Sequence, residues 1–172
     1  MNLEIALLGL IEIFSALTIG IFILALTFKI TQWVGKRFYR VATHSNLAFS
    51  IFTASIMISV GLMVSSVIQP LVSSFRVMKI EDDSFLLALR FFGTGAVYIS
   101  IAYSVAIVIG LISSYIYSKL TVIDEFEEMR KDNIGVALII SSIIITLSLL
   151  TKSGVELLIE SIIPYPPVIN LK

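Results

Sequence analysis

The residues with the richest chemistry form a short acidic segment between two apolar stretches, Asp124 to Asp132. Its carboxylates could bind a cation or dock a partner, because carboxylates at positions i, i+3 and i+4 share a helical face. The segment lacks the glycine that turns a calcium-binding loop. The same residues predict a helix start, with Asp124 as N-cap and Glu127 as its capping-box partner. We favour capping, since charge runs are usually solvated faces.

Two asparagines open apolar runs after polar loops. Asn46 precedes Leu47, and Asn133 precedes Ile134. Each could cap a helix by accepting a hydrogen bond from a free backbone N–H. Each could also bond between helices, which is worth about 1 kcal/mol in a membrane. Their position at the start of the runs favours capping, and neither interpretation is catalytic.

Glu12 is the one acidic residue expected near hydrocarbon, within the first apolar run. A charge in the middle of a membrane costs about 3 kcal/mol on insertion scales and is usually functional. The first run is longer than a bilayer requires, so we expect Glu12 at the membrane surface. If Glu12 is buried, Arg90 is its candidate partner.

The sequence contains no pattern for catalysis, metal binding or cofactor binding. The absence of cysteine excludes thiolate sites and cysteine nucleophiles, and His44 is the one histidine. No phosphate-binding loop, HExxH motif or nucleophile elbow occurs. We therefore expect a protein that is not an enzyme, with no catalytic residue, no metal site and no cofactor.

The composition is that of a membrane protein. Of the 172 residues, 58% are hydrophobic and 14% charged, and the mean hydropathy is +1.02. Soluble domains are about a quarter charged. With 12 basic and 12 acidic residues the net charge is zero, which gives no attraction to nucleic acid. The lipid bilayer is the expected partner, and nucleic acid is not.

Four apolar runs predict an all-α, four-helix transmembrane bundle. They are Leu3 to Ile30, Leu47 to Gln69, Phe91 to Ser118, and Ile134 to Leu150. Within the first run, Ile13 to Phe28 is the part expected in hydrocarbon, and Pro70 closes the second run. The segment Val155 to Ile163 predicts either an interfacial helix or an extension of the fourth span. Isolated glycines within spans (Gly20, Gly61 and Gly110) are typical of close helix contact.

The layout also predicts an internal repeat. Asn46 and Asn133 lie 87 residues apart, about half of the chain, and each follows a long apolar run and a polar loop. We therefore expect one integral membrane domain, 1–172, built from two tandem parallel helical hairpins, 1–76 and 85–163. Because each hairpin crosses twice, the second enters from the same side as the first, which should place the two asparagines at one depth. Pro70 and Pro164 fall at the ends of spans, so we expect four continuous helices.

The stretch from Leu120 to Ala137 also resembles a known family. Its Leu-Thr start, acidic stretch, basic residues and Asn-Ile-Gly-Val-Ala are similar to the signature of the YjfL-like prokaryotic inner-membrane family, catalogued as domain of unknown function 350. The first half keeps Asn46 but lacks the acidic stretch, and Asp132 stands where the family usually has glycine. The resemblance implies a small multi-pass protein with two hairpin repeats and assigns no activity.

The basic residues predict the orientation in the membrane. Loops one and three carry seven of the 12 basic residues: Lys29, Lys36, Arg37, Arg40, Lys119, Arg130 and Lys131. The positive-inside rule then places both termini outside a prokaryotic inner (plasma) membrane. We expect a structural or accessory subunit of a homo-oligomer or larger membrane complex. The alternative is a channel or transporter of small ions or solutes.

Overall fold

All regular structure in the described part of the chain is helical. The computed structural model describes residues 3–39, 46–78, 84–120 and 124–163. The helices are α1 (Leu3–Val34), which continues as a π-helical turn (Gly35–Tyr39), α2 (Leu47–Ser65), α3 (Ile68–Met78), α4 (Ser84–Leu120), α5 (Glu125–Arg130) and α6 (Ile134–Glu160).

Four segments are long and apolar enough to cross a membrane: Leu17–Arg37, Leu47–Ser74, Phe92–Tyr117 and Ile134–Glu160. A helix needs about 20 apolar residues to span the hydrocarbon layer. Large side chains such as Phe14, Phe22 and Leu150 are exposed on their outer faces, as expected where lipid is the solvent. The predicted all-α class is confirmed, and so is the presence of four helices long and apolar enough to span a membrane.

Helix α2 is the centre of the bundle, because α1, α4 and α6 all pack against it. Its inner face carries small hydroxyl residues, such as Ser55 and Ser59, between Phe49 and Met63. Small side chains let helix backbones approach closely, which is how helices associate in lipid. Two buried clusters fill the interior, one around Met63 and Ile159 and the other around Phe49 and Ile140.

The contacts define the direction of each helix relative to α2. Ser141 Oγ donates to the carbonyl of Ile51 at 3.4 Å, 90 residues earlier. The hydroxyls of Ser59 and Ser148, 89 residues apart, lie 2.6 Å from each other. A constant offset means that α2 and α6 run parallel.

Helices α1 and α4 run antiparallel to α2. Gly35, at the end of α1, faces Phe49 near the start of α2. Gly95, early in α4, faces Leu71 of α3. Tyr117, near the end of α4, belongs to the cluster around Phe49, which lies near the start of α2.

The second span differs from the prediction of a continuous helix closed by Pro70. Helix α2 ends at Ser65, a turn follows at Ser66 and Val67, and α3 carries Pro70 in its first turn. Proline has no N–H to donate to the carbonyl four residues earlier and its ring clashes with it, which breaks or kinks a helix. That carbonyl belongs to Ser66, so the break falls where the proline requires it.

Two other spans are longer than predicted. Helix α1 passes Lys29 and continues to Val34, and α6 passes Leu150 and Lys152 without interruption to Glu160. The second of the two alternatives for Val155 onward, an extension of the fourth span, is therefore the one observed. A lysine does not end a helix, because its long side chain can reach the interface from within the membrane.

The glycine prediction was wrong for Gly20, Gly61 and Gly110. A Cβ atom at any of these positions would meet nothing within 4 Å. The close approach is instead at Gly35, where a Cβ would collide with the ring of Phe49. Sequence periodicity does not distinguish a glycine beside open space from one beneath an aromatic ring.

This contrast gives a first testable prediction. Gly35→Ala should destabilise the protein by about 1–3 kcal/mol, the usual cost of overpacking. Gly20→Ala is the matched control and should be neutral or stabilising, because alanine favours a helix over glycine by up to about 1 kcal/mol. Equilibrium unfolding in detergent, followed by helical circular dichroism, measures both. Equal effects of the two substitutions would contradict the close contact at Gly35.

Candidate functional site

The acidic segment lies across the amino ends of α2 and α6, and Asn46 joins it to α2. The Asn46 side chain is 7% exposed. Its Oδ1 accepts from the N–H of Phe49 at 2.6 Å, which caps α2. Its Nδ2 donates to the carbonyl of Met129, at the end of α5, at 2.6 Å. Asn46 therefore makes both of the bonds that the sequence offered as alternatives.

Asp132 makes the reciprocal contact. Its Oδ1 accepts from the backbone N–H of Ala48 at 2.7 Å. Asp132 has a φ of 61°, the one positive value among the described residues other than glycine. The N–H of Asp132 bonds to the carbonyl of Met129, and that of Asn133 to the carbonyl of Glu128. This is the Schellman arrangement, in which the left-handed position usually holds glycine.

The left-handed conformation of Asp132 has a structural reason. A left-handed conformation costs an L-residue about 1–2 kcal/mol, and Asp and Asn tolerate it best. Here the aspartate side chain offsets that cost by binding a free N–H in the first turn of α2, which glycine could not do. Sequence reasoning noted Asp132 only as a missing glycine and did not include it among the candidate residues.

Asn133 extends the network at the start of α6. Its Oδ1 accepts from the N–H of Val136 at 3.4 Å, and its Nδ2 donates to Glu128 Oε2 at 2.8 Å. Lys131 Nζ donates to Glu128 Oε1 at 2.9 Å. The bond from Asn133, followed by the one from Lys131, holds the pKa of the Glu128 carboxyl below its usual value. The same ion pair raises the pKa of Lys131.

Asp124 begins α5 as the sequence suggested. Its Oδ1 accepts from the N–H groups of Phe126 and Glu127, at 3.0 and 3.1 Å. The Glu127 carboxylate lies 3.4 Å from Lys131 Nζ and forms an i,i+4 ion pair with it. Both contacts are exposed, and neither gathers several carboxylates around a position where a cation could bind.

Ile123, Phe126 and Met129 fall on one face of the acidic segment, and this spacing predicts that the face lies on the membrane surface. The structure shows that the prediction is wrong for Phe126 and Met129. Met129 is 1% exposed and belongs to the cluster with Phe49 and Ile140. The Phe126 ring meets that of Phe52 edge-on, at 6.5 Å between centroids. Ile123 lies outside the described residues. This face closes the end of the bundle, which the spacing of apolar residues alone could not reveal.

The predicted pairing of Glu12 with Arg90 lies outside the described residues. Glu12 belongs to α1, but its side chain lies outside the described residues, and the Arg90 side chain is exposed near the start of α4. Lys152 and Glu156, which the sequence analysis does not include among the candidate residues, are half-buried within α6. The signal available in the sequence was a lysine and a glutamate four residues apart within an apolar stretch. The prediction that the fourth span ends at Leu150 obscured that signal.

The remaining interior is apolar or bears hydroxyls. A cavity of about 200 Å³ lies beside the break between α2 and α3, lined by Gly20, Ile23, Gly61, Val64 and Ile68 among others. Its one hydroxyl, on Ser65, donates to the carbonyl of Leu62. Among the described residues, no group of three or more Asp, Glu or His side chains could hold a metal ion. The network at the bundle end joins α2 to the connection between α5 and α6.

Comparison with known families identifies one match. The family model described as Domain of Unknown Function (DUF350) matches residues 5–155, most of the chain. No curated protein and no solved structure matches at a significant level.

The two functions of the Asp132 side chain can be separated by mutation. Asp132→Ala keeps the left-handed strain and loses the bond to Ala48, so it should destabilise the protein by about 2 kcal/mol, the worth of a hydrogen bond to a charged group. Asp132→Gly loses the same bond but relieves about 1 kcal/mol of strain, so its loss should be smaller. Equilibrium unfolding in detergent measures both variants. An alanine variant as stable as the glycine variant would contradict the strained conformation.

Proposed function

This multi-pass membrane protein belongs to the DUF350 family, and we propose that it works as a non-enzymatic structural or accessory subunit of a membrane complex. The complex is built from copies of this chain or includes larger partners. The observation that carries the proposal is the closed interior between α2, α4 and α6. No acidic or basic side chain of the described residues is fully buried there.

The buried hydroxyls support packing over conduction. Those of Thr27, Ser113 and Ser148 each donate to the carbonyl four residues earlier on their own helix. Such bonds satisfy the hydroxyl within one helix and need no water. Between α2 and α6, Ser148 also meets Ser59 directly. A water-filled path would need polar groups that face open space.

The apolar surface of α1 supports assembly. Helix α1 packs mainly on α2, and its outer face exposes Ile13, Phe14, Leu17, Ile21 and Phe22. Lipid can cover such a face, and so can another helix. A chain of 19.0 kDa with little mass outside the membrane acts most simply through contacts within it.

We also propose the tandem repeat of two parallel hairpins, 1–76 and 85–163. The parallel course of α2 and α6, at offsets of 89 and 90 residues, supports it. So does the antiparallel packing of α1 and α4 on α2. A pseudo-two-fold axis along the membrane normal would relate the two halves, with Asn46 and Asn133 at the same end.

For the orientation, we propose that the end bearing Asn46 and Asn133 faces the cytoplasm and both termini lie outside. Lys36, Arg37, Lys119 and Arg130 are exposed at this end, as the positive-inside rule requires. Glu12 lies 21 residues before Trp33 in α1, about 31 Å away at 1.5 Å per residue. That distance supports a position for Glu12 at the opposite membrane surface.

The absence of native cysteine allows a direct test of this orientation. A membrane-impermeant maleimide should label a cysteine introduced at position 170 in intact cells and spare one at position 37. Both variants should react equally after the cells are lysed, which controls for expression and access. The reverse pattern in intact cells would invert the topology.

A channel or transporter is the second candidate, favoured by two observations. The second span is broken beside the 200 Å³ cavity, and broken helices line substrate sites in many transporters. The buried Gln32 Oε1 and Thr53 Oγ1 have no hydrogen-bond partner. Against it, the break follows Asn46 by about 30 Å and so falls toward the far surface, away from mid-membrane.

Stoichiometry and flux, measured together, separate the two functions. For a structural subunit, native mass spectrometry should give a defined oligomer or a co-purifying subunit, and proteoliposomes should pass ions no faster than empty vesicles. Flux that Gly61→Leu abolishes by filling the cavity would overturn the proposal. Gly110→Leu is the matched control, because that glycine also faces open space but does not line the cavity.

A further inference from the structure

One face of α1 is apolar in the middle of the helix and carries basic and aromatic side chains toward the end of the bundle where Asn46 lies. Phe22, Leu26, Lys29, Trp33 and Lys36 succeed one another at steps of three or four residues, which aligns them along one side of a helix. All five side chains are exposed, and so is that of Arg37.

The opposite side of α1 faces the bundle. Thr27 and Thr31 are buried there, and Gly35 lies against the Phe49 ring. The exposed face, which we call the α1 stripe, is defined by Phe22, Leu26, Lys29, Trp33, Lys36 and Arg37. Because its other side is packed against α2, the α1 stripe is held facing the surrounding lipid.

The stripe crosses the boundary between hydrocarbon and headgroups. Trp33 is 60% exposed, and Trp and Tyr are the residues that concentrate at membrane interfaces. Tyr115 of α4, at the same end, is 63% exposed, with Lys119 Nζ 5.7 Å from its ring centroid. Lys29, one turn deeper than Trp33, can extend its ammonium group to the surface. Lys36 and Arg37 lie one turn beyond Trp33, at headgroup level.

The backbone presents the two outer cations in an uncommon way. Lys36 and Arg37 belong to the five-residue π-helical turn, and such turns are rare and occur often at functional sites. Gly35 begins the turn and is in contact with Phe49, so the turn is fixed relative to α2.

The three cations of the stripe are not neutralised by described carboxylates. The nearest acidic element is α5, which packs beside the π-helical turn. Its Glu127 and Glu128 both pair with Lys131. Lys29, Lys36 and Arg37 make no ion pair with an acidic residue that the structure describes. A ligand with negative charge at headgroup level would therefore complement them.

We infer that the α1 stripe binds an anionic phospholipid. The phosphate and any further negative charge of the headgroup lie against Lys36 and Arg37, with Lys29 reaching the same level from below. Trp33 packs at the glycerol region, and an acyl chain follows Leu26 and Phe22 into the hydrocarbon. This site does not depend on the proposed subunit function or on which end faces the cytoplasm.

Trp33 is the single tryptophan of the chain, so its fluorescence reports on this site. The protein is reconstituted in vesicles that contain phosphatidylglycerol and phosphatidylcholine, and one of the two lipids carries brominated acyl chains that quench tryptophan. At equal mole fractions, brominated phosphatidylglycerol should quench Trp33 more strongly than brominated phosphatidylcholine. The ratio gives the selectivity for the anionic lipid.

Mutation of the outer cations should remove this selectivity. Each basic residue near an anionic surface strengthens binding by about fivefold, so Lys36→Gln/Arg37→Gln should weaken binding of the anionic lipid by about 25-fold and bring the quenching ratio close to one. Lys36→Arg/Arg37→Lys keeps both charges and should retain the selectivity. Lys119→Gln/Arg130→Gln is the matched control, because it removes two exposed cations at the same end outside the stripe. Circular dichroism and gel filtration in detergent verify that every variant is folded.

Each other outcome contradicts the proposal. Equal quenching by the two brominated lipids in the wild-type protein would exclude selectivity. An equal loss in the Lys119→Gln/Arg130→Gln control would indicate bulk attraction to the whole surface. If excess inorganic phosphate at constant ionic strength abolished the preference, the cations would bind free phosphate and not a lipid.

Discussion

The exchange of hydrogen bonds between the α5–α6 connection and the start of α2 is the constraint on which the bundle end depends. Asn46 donates to the Met129 carbonyl, and Asp132 accepts from the Ala48 N–H. Both bonds use groups that a helix end leaves unpaired. Because Asn46, Ala48 and Met129 are buried, protein partners satisfy these groups in place of water. Pairing the ends of two helices also fixes how those helices lie relative to one another.

The packing of the spans follows from that connection. With α2 and α6 held parallel at their amino ends, the small residues on their facing sides meet along their length, down to Ser59 and Ser148. Helix α4 completes the core, and α1 contacts the bundle chiefly through α2. The Phe49 ring links three elements at this end of the bundle. It lies against Gly35, in the turn that follows α1, and belongs to the same buried cluster as Met129 of α5.

The distribution of polar groups shows where this molecule can interact. Inside, the hydroxyls of Thr27, Ser113 and Ser148 bond to their own helices, whereas Thr53 Oγ1 and Ser74 Oγ have no hydrogen-bond partner. The cavity beside the α2–α3 break is lined mostly by apolar side chains. At the surface, Lys29, Lys36 and Arg37 make no ion pair with a described acidic residue, whereas Lys131, which follows α5, pairs with Glu127 and Glu128. In the described part of the chain, the charged groups available for contact therefore lie at the surface and not in the buried clusters.

The sequence by itself determined that the helices suit lipid surroundings, that the class is helical, that four segments are long enough to span a membrane, and which residues cap the helices. These follow from local properties: apolar length, and the preference of Asn46, Asp124 and Asn133 for helix starts. Tertiary structure decided the rest, because it depends on neighbours distant in the chain. The second bond of Asn46, the left-handed Asp132, the burial of Met129 and the crowding at Gly35 all require a partner from another helix. No local pattern specifies that partner, since lipid and protein are equally apolar surroundings for a membrane helix.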